Sequence, residues 1–163
     1  MRKEFGKFMC EIAELDKRVL LITGDIGYQI FDEYRKRFPE RFLNIGICEQ
    51  SMIGISSGMA LEGLKPWVYT ITPFLIERPF EQIKLDIDEQ NVNVKLVGYA
   101  DYPKQGPTHR ALNEKGLMSL LKNTRSYFPE SSEEARKIFY QAYETIEPVF
   151  ISLKNAKVKG EKS

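Results

Sequence analysis

The sequence predicts a single three-layer α/β domain with a mostly parallel central sheet, and three observations carry that expectation. Apolar spacing switches repeatedly between a helical period and short apolar runs of strand length. The runs RVLLIT at 18–23 and NVKLVG at 93–98 read as buried strands, each followed by turn residues and then a helical pattern. A length of 163 residues suits one core and leaves little room for a second.

The elements follow in order. Phe5, Phe8, Met9, Ile12 and Ala13 share one helical face, and Asp16 closes that helix. After the strand at 18–23, Gly24, Asp25 and Gly27 form a loop at its carboxyl end. A helix over 30–37 is stopped by Pro39, and 42–45 is a second strand. The helix over 50–61 carries Gly54, Gly58 and Ala60, small residues suited to close packing. A strand at 65–70, a helix over 73–88 and the strand at 93–98 come next. Segment 99–113 contains Pro103, Gly106 and Pro107 and has no apolar period, so it is a long loop of the kind that lines a binding crevice. A short helix at 117–121, a strand at 125–128, a helix over 132–146 opened by a Ser-Ser-Glu-Glu cap, and a strand at Val149–Leu153 complete the domain. The lysine-rich tail, 154–163, is expected to fray, and one domain accounts for residues 1–163.

Composition excludes several classes. Lysine plus arginine (24) nearly balance aspartate plus glutamate (23), so nothing points to nucleic acid. Apolar stretches such as 19–23 and 94–97 fall far short of the ~20 residues that span a bilayer. The N-terminus alternates charged and apolar residues and lacks the apolar core of a secretory signal, which implies a soluble cytoplasmic protein. Cys10 and Cys48 have no metal-binding spacing, there is a single histidine, and no metal site is expected. Both cysteines are expected to be small buried hydrophobes.

Four residues stand out on physical grounds, each beside a blander reading. Glu49 follows an apolar strand at the entry to a Gly/Ala/Met-rich helix, where burial favours the neutral acid and the helix N-terminus the carboxylate. By position alone an exposed first-turn acid is the commoner outcome. Phe74, at a helix start, would ordinarily be core. Asp25 follows a strand and can face the crevice, although a turn-forming aspartate is the simpler account. His109 lies in a Gly/Pro loop, where a lone histidine is usually solvated; there it could also donate to a substrate or shuttle a proton.

Longer strings carry more. FLNIGICEQSMIGISSGMALEGLKPWVYTITPFLIERPFEQIKLDI, residues 42–87, resembles the pyrimidine-binding domain of transketolases and their relatives. Gly106-Pro107-Thr108-His109 resembles the Gly-Pro-Thr-His segment of the same domain, and RKEFGKFMCEIAELDKRVLLITGDIG resembles its opening helix and strand. The resemblance runs in one register over residues 2–153.

That resemblance implies roles. Glu49 would hydrogen-bond the pyrimidine ring of thiamin diphosphate, promote its imino tautomer and act as the catalytic acid. Phe74 would stack on the ring, while Phe80 packs into the sheet. Ile71 takes the place of a second phenylalanine, giving an aliphatic wall. Asp25 falls on the aspartate of the family's first loop, near the cofactor. His109 would meet the sugar substrate or the reactive carbon, and Gln105 sits where an acidic residue often reads a substrate hydroxyl.

Departures from the family pattern also have consequences. Gly24-Asp25-Ile26-Gly27 lacks the third-position glycine and the distant asparagine of the magnesium-diphosphate motif. The resemblance therefore implies that a separate diphosphate-binding partner subunit holds Mg2+ and the diphosphate, in an α2β2 assembly, and no third domain is expected. Phe128-Pro129 replaces the Arg-Pro pair that often binds a sugar phosphate, and Arg125 lies on a different phase of the strand, so the handle on the substrate stays open. The implied activity is transfer of a two-carbon ketol unit between sugar-type substrates. The alternatives are a β-type subunit of a 2-oxoacid dehydrogenase or 1-deoxy-sugar synthase, and a non-catalytic assembly subunit.

Overall fold

Strands β1 (Val19–Thr23), β2 (Phe42–Asn44), β3 (Lys65–Ile71), β4 (Lys95–Tyr99), β5 (Arg125–Tyr127) and β6 (Val149–Leu153) form one sheet in the order β2-β1-β3-β4-β6-β5. Every neighbouring pair is parallel, so the sheet is wholly rather than mostly parallel. This computed structural model describes residues 1–99 and 105–153. Segment 100–104 of the long loop and the expected tail at 154–163 lie outside the described residues.

Helices cover both faces, the arrangement that all-parallel sheets require because both of their surfaces are apolar. Strands β1, β4 and β6 are buried at every position. On one face α1 (Arg2–Leu15), α2 (Asp32–Arg37) and α7 (Ser132–Glu144) enclose an aromatic core. Phe5 sits at its centre, with ring centroids 5.9 Å from Trp67, 5.6 Å from Tyr69 and 5.2 Å from Phe139. On the other face α3 (Glu49–Leu61), α4 (Thr72–Ile76), α5 (Phe80–Gln82) and α6 (Glu114–Met118) pack Met52, Ile53, Leu75, Ile76 and Met118 against Ile22, Val68 and Leu96. None of the described helices is long and apolar enough to cross a membrane.

Several elements differ from the sequence expectation. The single helix expected over 73–88 is three pieces: α4, α5 and a π-helical turn, Ile83–Asp88. Pro79 breaks it, because proline lacks the N–H that would bond the carbonyl of Leu75 and its ring crowds that carbonyl. The short helix expected at 117–121 lies earlier, because the Asn113 side chain accepts from the Gly116 N–H at 2.9 Å and starts α6 at Glu114. Helix α2 begins at Asp32, after a loop in which Asp25 and Gln29 have φ of 52° and 63°. Cys10 is buried as expected, but Cys48 is exposed, since it caps α3 where the chain turns at the sheet's rim.

Strand order creates the crevice. β1 lies between β2 and β3, so the chain leaves β1 in one direction and resumes from β3 in the other. The first connection runs to α2 on the aromatic face, and β3 runs into α4 on the opposite face. The loops therefore diverge at the carboxyl ends of β1 and β3, the switch point where open α/β sheets bind ligands.

Candidate functional site

Because all strands point the same way, the segments after β1, β2, β3 and β4 meet at one edge. Those segments carry Asp25, Glu49, Phe74 and His109 respectively. Glu49 is the first residue of α3 and only 5% exposed, which overturns the first-turn surface reading. Its carboxylate accepts a hydrogen bond from Arg78 Nη1 at 2.8 Å. Phe74 stands in α4, opened by Pro73 in its first turn. The Arg78 guanidinium lies 3.7 Å from the centre of the Phe74 ring, a close cation–π contact.

His109 completes the row. Its ring meets Phe74 at 4.8 Å between centroids with planes inclined by 67°. It is delivered by a 3-10 turn, Pro107–His109, that follows Gly106 at φ 102°, a conformation that favours glycine. Thr108 Oγ1 lies 3.1 Å from His109 Nδ1 and orients the imidazole. Glu49, Arg78, Phe74 and His109 thus form a continuous chain of contacts. Beside Glu49 an open cleft of about 520 Å³ is lined by Ile47, Cys48, Gln50, Ser51 and Arg78.

The remaining predicted residues share the edge without joining that chain of contacts. Asp25 is exposed; its N–H donates to Asn44 Oδ1 at 2.9 Å, and the Asn44 amide donates back to Asp25 Oδ1 at 3.3 Å. Asn44 Oδ1 also accepts from the Gly46 N–H at 3.1 Å, so Asp25 and Asn44 together fix the turn that leads to Glu49. Half-buried Ile71 caps α4, and exposed Gln105 opens the described part of the histidine loop. The hydroxyls of Thr70 and Thr72, next to Ile71, are buried without a hydrogen-bond partner among the described residues.

Sequence reasoning missed Arg78 and Asn44. The spacing of Arg78 four residues after Phe74 would put both on one face of the helix expected over 73–88, but Arg78 lies beyond α4, in the turn before Pro79, and reaches the Phe74 ring from there. Asn44 gave no signal, since the end of a short strand does not reveal a partner across the neighbouring loop.

The class defined by this architecture is a parallel α/β domain that gathers a buried carboxylate, an aromatic face and a loop histidine at its switch point. Residues 1–160 match the family model described as "Transketolase, pyrimidine binding domain", and the chain belongs to that family. It is 39% identical over 121 residues to one subunit of the apulose-4-phosphate transketolase of Actinobacillus succinogenes, covering 72% of this chain and 39% of that protein. The subunit of the same name from Phocaeicola vulgatus is 30% identical over 161 residues, covering 96% and 52%. The chain thus spans about half the length, or less, of these relatives. A solved structure described as "Split gene transketolase, inactive beta4 tetramer" superposes with a TM-score of 0.84 at 28% identity, over 98% of this chain and 55% of that one.

Proposed function

We propose that residues 1–163 form the pyrimidine-binding domain of the small subunit in a split, thiamin-diphosphate-dependent, transketolase-like enzyme. It works in the cytoplasm in an α2β2 assembly with a diphosphate-binding partner subunit that holds Mg2+. The reaction moves a two-carbon ketol unit between sugar-type substrates. The observation that carries this reading is the buried carboxylate of Glu49 linked, through one planar cation, to the face of Phe74. A flat group that hydrogen-bonds the Glu49 carboxyl while lying on Phe74 is what an aminopyrimidine offers, through a ring nitrogen that shares the carboxyl proton, so the residues fit the cofactor's ring. The two relatives named as transketolase subunits and the split-gene structure support a partner.

When bound, thiamin diphosphate supplies the nucleophilic carbon for ketol transfer. The chain's own residues do the rest. Glu49 shares a proton with a ring nitrogen, and its burial protects that proton from exchange with water. Phe74 orients the ring by stacking and Ile71 supplies an apolar wall. Asp25, held by Asn44, stands near the cofactor. His109 donates to a substrate hydroxyl or moves a proton, with Thr108 setting its ring; Gln105 can both donate and accept at the same substrate.

The test is reconstitution. Co-purification identifies the diphosphate-binding partner, and ketol transfer is then assayed with each subunit alone and with both. Transfer that needs both subunits and thiamin diphosphate is expected. A stable complex that binds the cofactor yet transfers no ketol unit from any sugar donor would sink the reading.

A further inference from the structure

Arg78 makes both of the contacts that the proposed function assigns to the pyrimidine ring. Its Nη1 donates to Glu49 at 2.8 Å, and its guanidinium lies 3.7 Å above the Phe74 ring. A ring that bonds Glu49 and stacks on Phe74 must pass between those two side chains, through the volume the guanidinium fills. The chemistry is alike as well. Guanidinium and an aminopyrimidine are both planar, both hydrogen-bond a carboxyl group, the guanidinium by donating to the carboxylate and a ring nitrogen by sharing the carboxyl proton, and both stack on an aromatic face.

We propose that Arg78 is an internal competitor for the ring site, a removable plug that the aminopyrimidine displaces on binding. This inference rests on the roles given to Glu49 and Phe74 above. The local structure suits a side chain that moves. Arg78 lies in the break between α4 and α5, next to Pro79, so no continuous helix fixes its direction. Its side chain is 38% exposed while that of Glu49 is 5% exposed, so the arginine can swing outward and the carboxylate cannot follow. In place, the guanidinium balances a buried negative charge and shields Phe74 from water. Displaced, it frees the carboxylate for the incoming ring, and the cost of displacement favours ligands that satisfy both contacts at once.

The probe is 4-amino-2-methylpyrimidine, the ring without diphosphate, titrated into the whole chain and followed by NMR. Wild type is compared with R78M, with R78K, which keeps the charge but cannot stack as a plane, and with E49Q and F74A. Circular dichroism verifies that each variant is folded. R78M is expected to bind the ring about fivefold tighter, the size of releasing one partly exposed cation–π contact. R78K should fall between, and adding E49Q or F74A to R78M should erase the gain. Equal or weaker binding by R78M and R78K, with binding still lowered by E49Q and F74A, overturns the plug and leaves the ring site intact. Binding indifferent to Glu49 and Phe74, or undetectable in every variant at millimolar ring, removes the ring site itself and the plug with it.

Discussion

At Glu49 a single carboxyl group is nearly buried and still reachable from the crevice. Position achieves both, since the first residue of α3 sits at the sheet's rim with the helix body behind it. Glu49→Gln is therefore expected to keep the fold and the partner, because the amide is nearly isosteric and can still accept from Arg78. It cannot share a proton with the ring. Hydrogen–deuterium exchange at the thiazolium carbon in the reconstituted complex should slow by ~10²- to 10⁴-fold. A rate within about threefold of wild type, far short of that effect, would return Glu49 to an ordinary helix-start acid. His109→Ala should act elsewhere: ketol transfer falls by about 10²-fold while thiazolium exchange holds, and loss of both would show that His109 serves the cofactor. The sequence made Glu49, Phe74 and His109 legible because each sits in a string of several family residues. Arg78 stayed hidden because its role depends on where a helix breaks, and the exposure of Cys48 on where a rim turns.

At the level of elements, Pro79 shows why strands were easier to read than helices. A central buried strand is a contiguous apolar run, as in β1 and β6, and even the partly buried edge strands β2 and β5 lie within one residue of the expected 42–45 and 125–128. Apolar periodicity continues through Pro79 into Ile83 and Ile87, so the pattern alone suggests one helix while the backbone forms three. What holds the last piece is Asp88. Its carboxylate accepts from the N–H groups of Lys122, Asn123 and Thr124 at 3.0, 2.9 and 2.7 Å and from the Thr124 hydroxyl at 2.7 Å. Burial pushes this carboxyl up, but the Thr124 hydroxyl and the three N–H groups outweigh it and leave its pKa below the ordinary aspartate value. A lowered folded pKa means a contribution that is complete above the ordinary aspartate range and lost as pH falls through the folded value. Asp88→Asn should lower unfolding stability by about 2 to 4 kcal/mol at neutral pH and flatten the loss of stability in acid. Urea midpoints at pH 7 and pH 3.5 measure both. An unchanged acid slope in the variant would mean that Asp88 titrates alike in the folded and unfolded chains.

For the whole molecule, stability and function draw on opposite ends of the sheet. Lys95, 2% exposed on β4, donates to the carbonyls of Thr145 and Glu147 at 3.0 and 2.5 Å, beyond the end of α7. Burial, then the charge of Lys65, push its pKa from 10.5 down to about 7. The unfolded chain keeps this proton up to its ordinary value while the folded chain releases it near 7, so stability rises with pH between them. Lys95→Met should remove that rise, and equal slopes in the two proteins, by urea unfolding from pH 7 to 9.5, would contradict it. The carboxyl end of the sheet instead gathers the polar groups of the candidate site, Asp25, Glu49, Arg78 and His109. The site there offers contacts for a ring, and the chain has no Gly-Asp-Gly followed at a distance by asparagine to hold magnesium and a diphosphate. A ring of this size bound through one carboxylate and one stacked face has few atoms with which to offset the entropy of binding. The diphosphate carries much of the charge that would anchor the cofactor, and the proposed function gives that anchor to the partner. The chain alone is therefore expected to bind thiamin diphosphate weakly, with no response to Mg2+. Adding the partner subunit should tighten binding by at least about 100-fold, the gain from joining two binding contacts in one site, and make it magnesium-dependent. Calorimetry with and without partner reads this directly. Tight, magnesium-dependent binding by the chain alone would overturn the division of the cofactor between two subunits, because the diphosphate would then have a site on this chain.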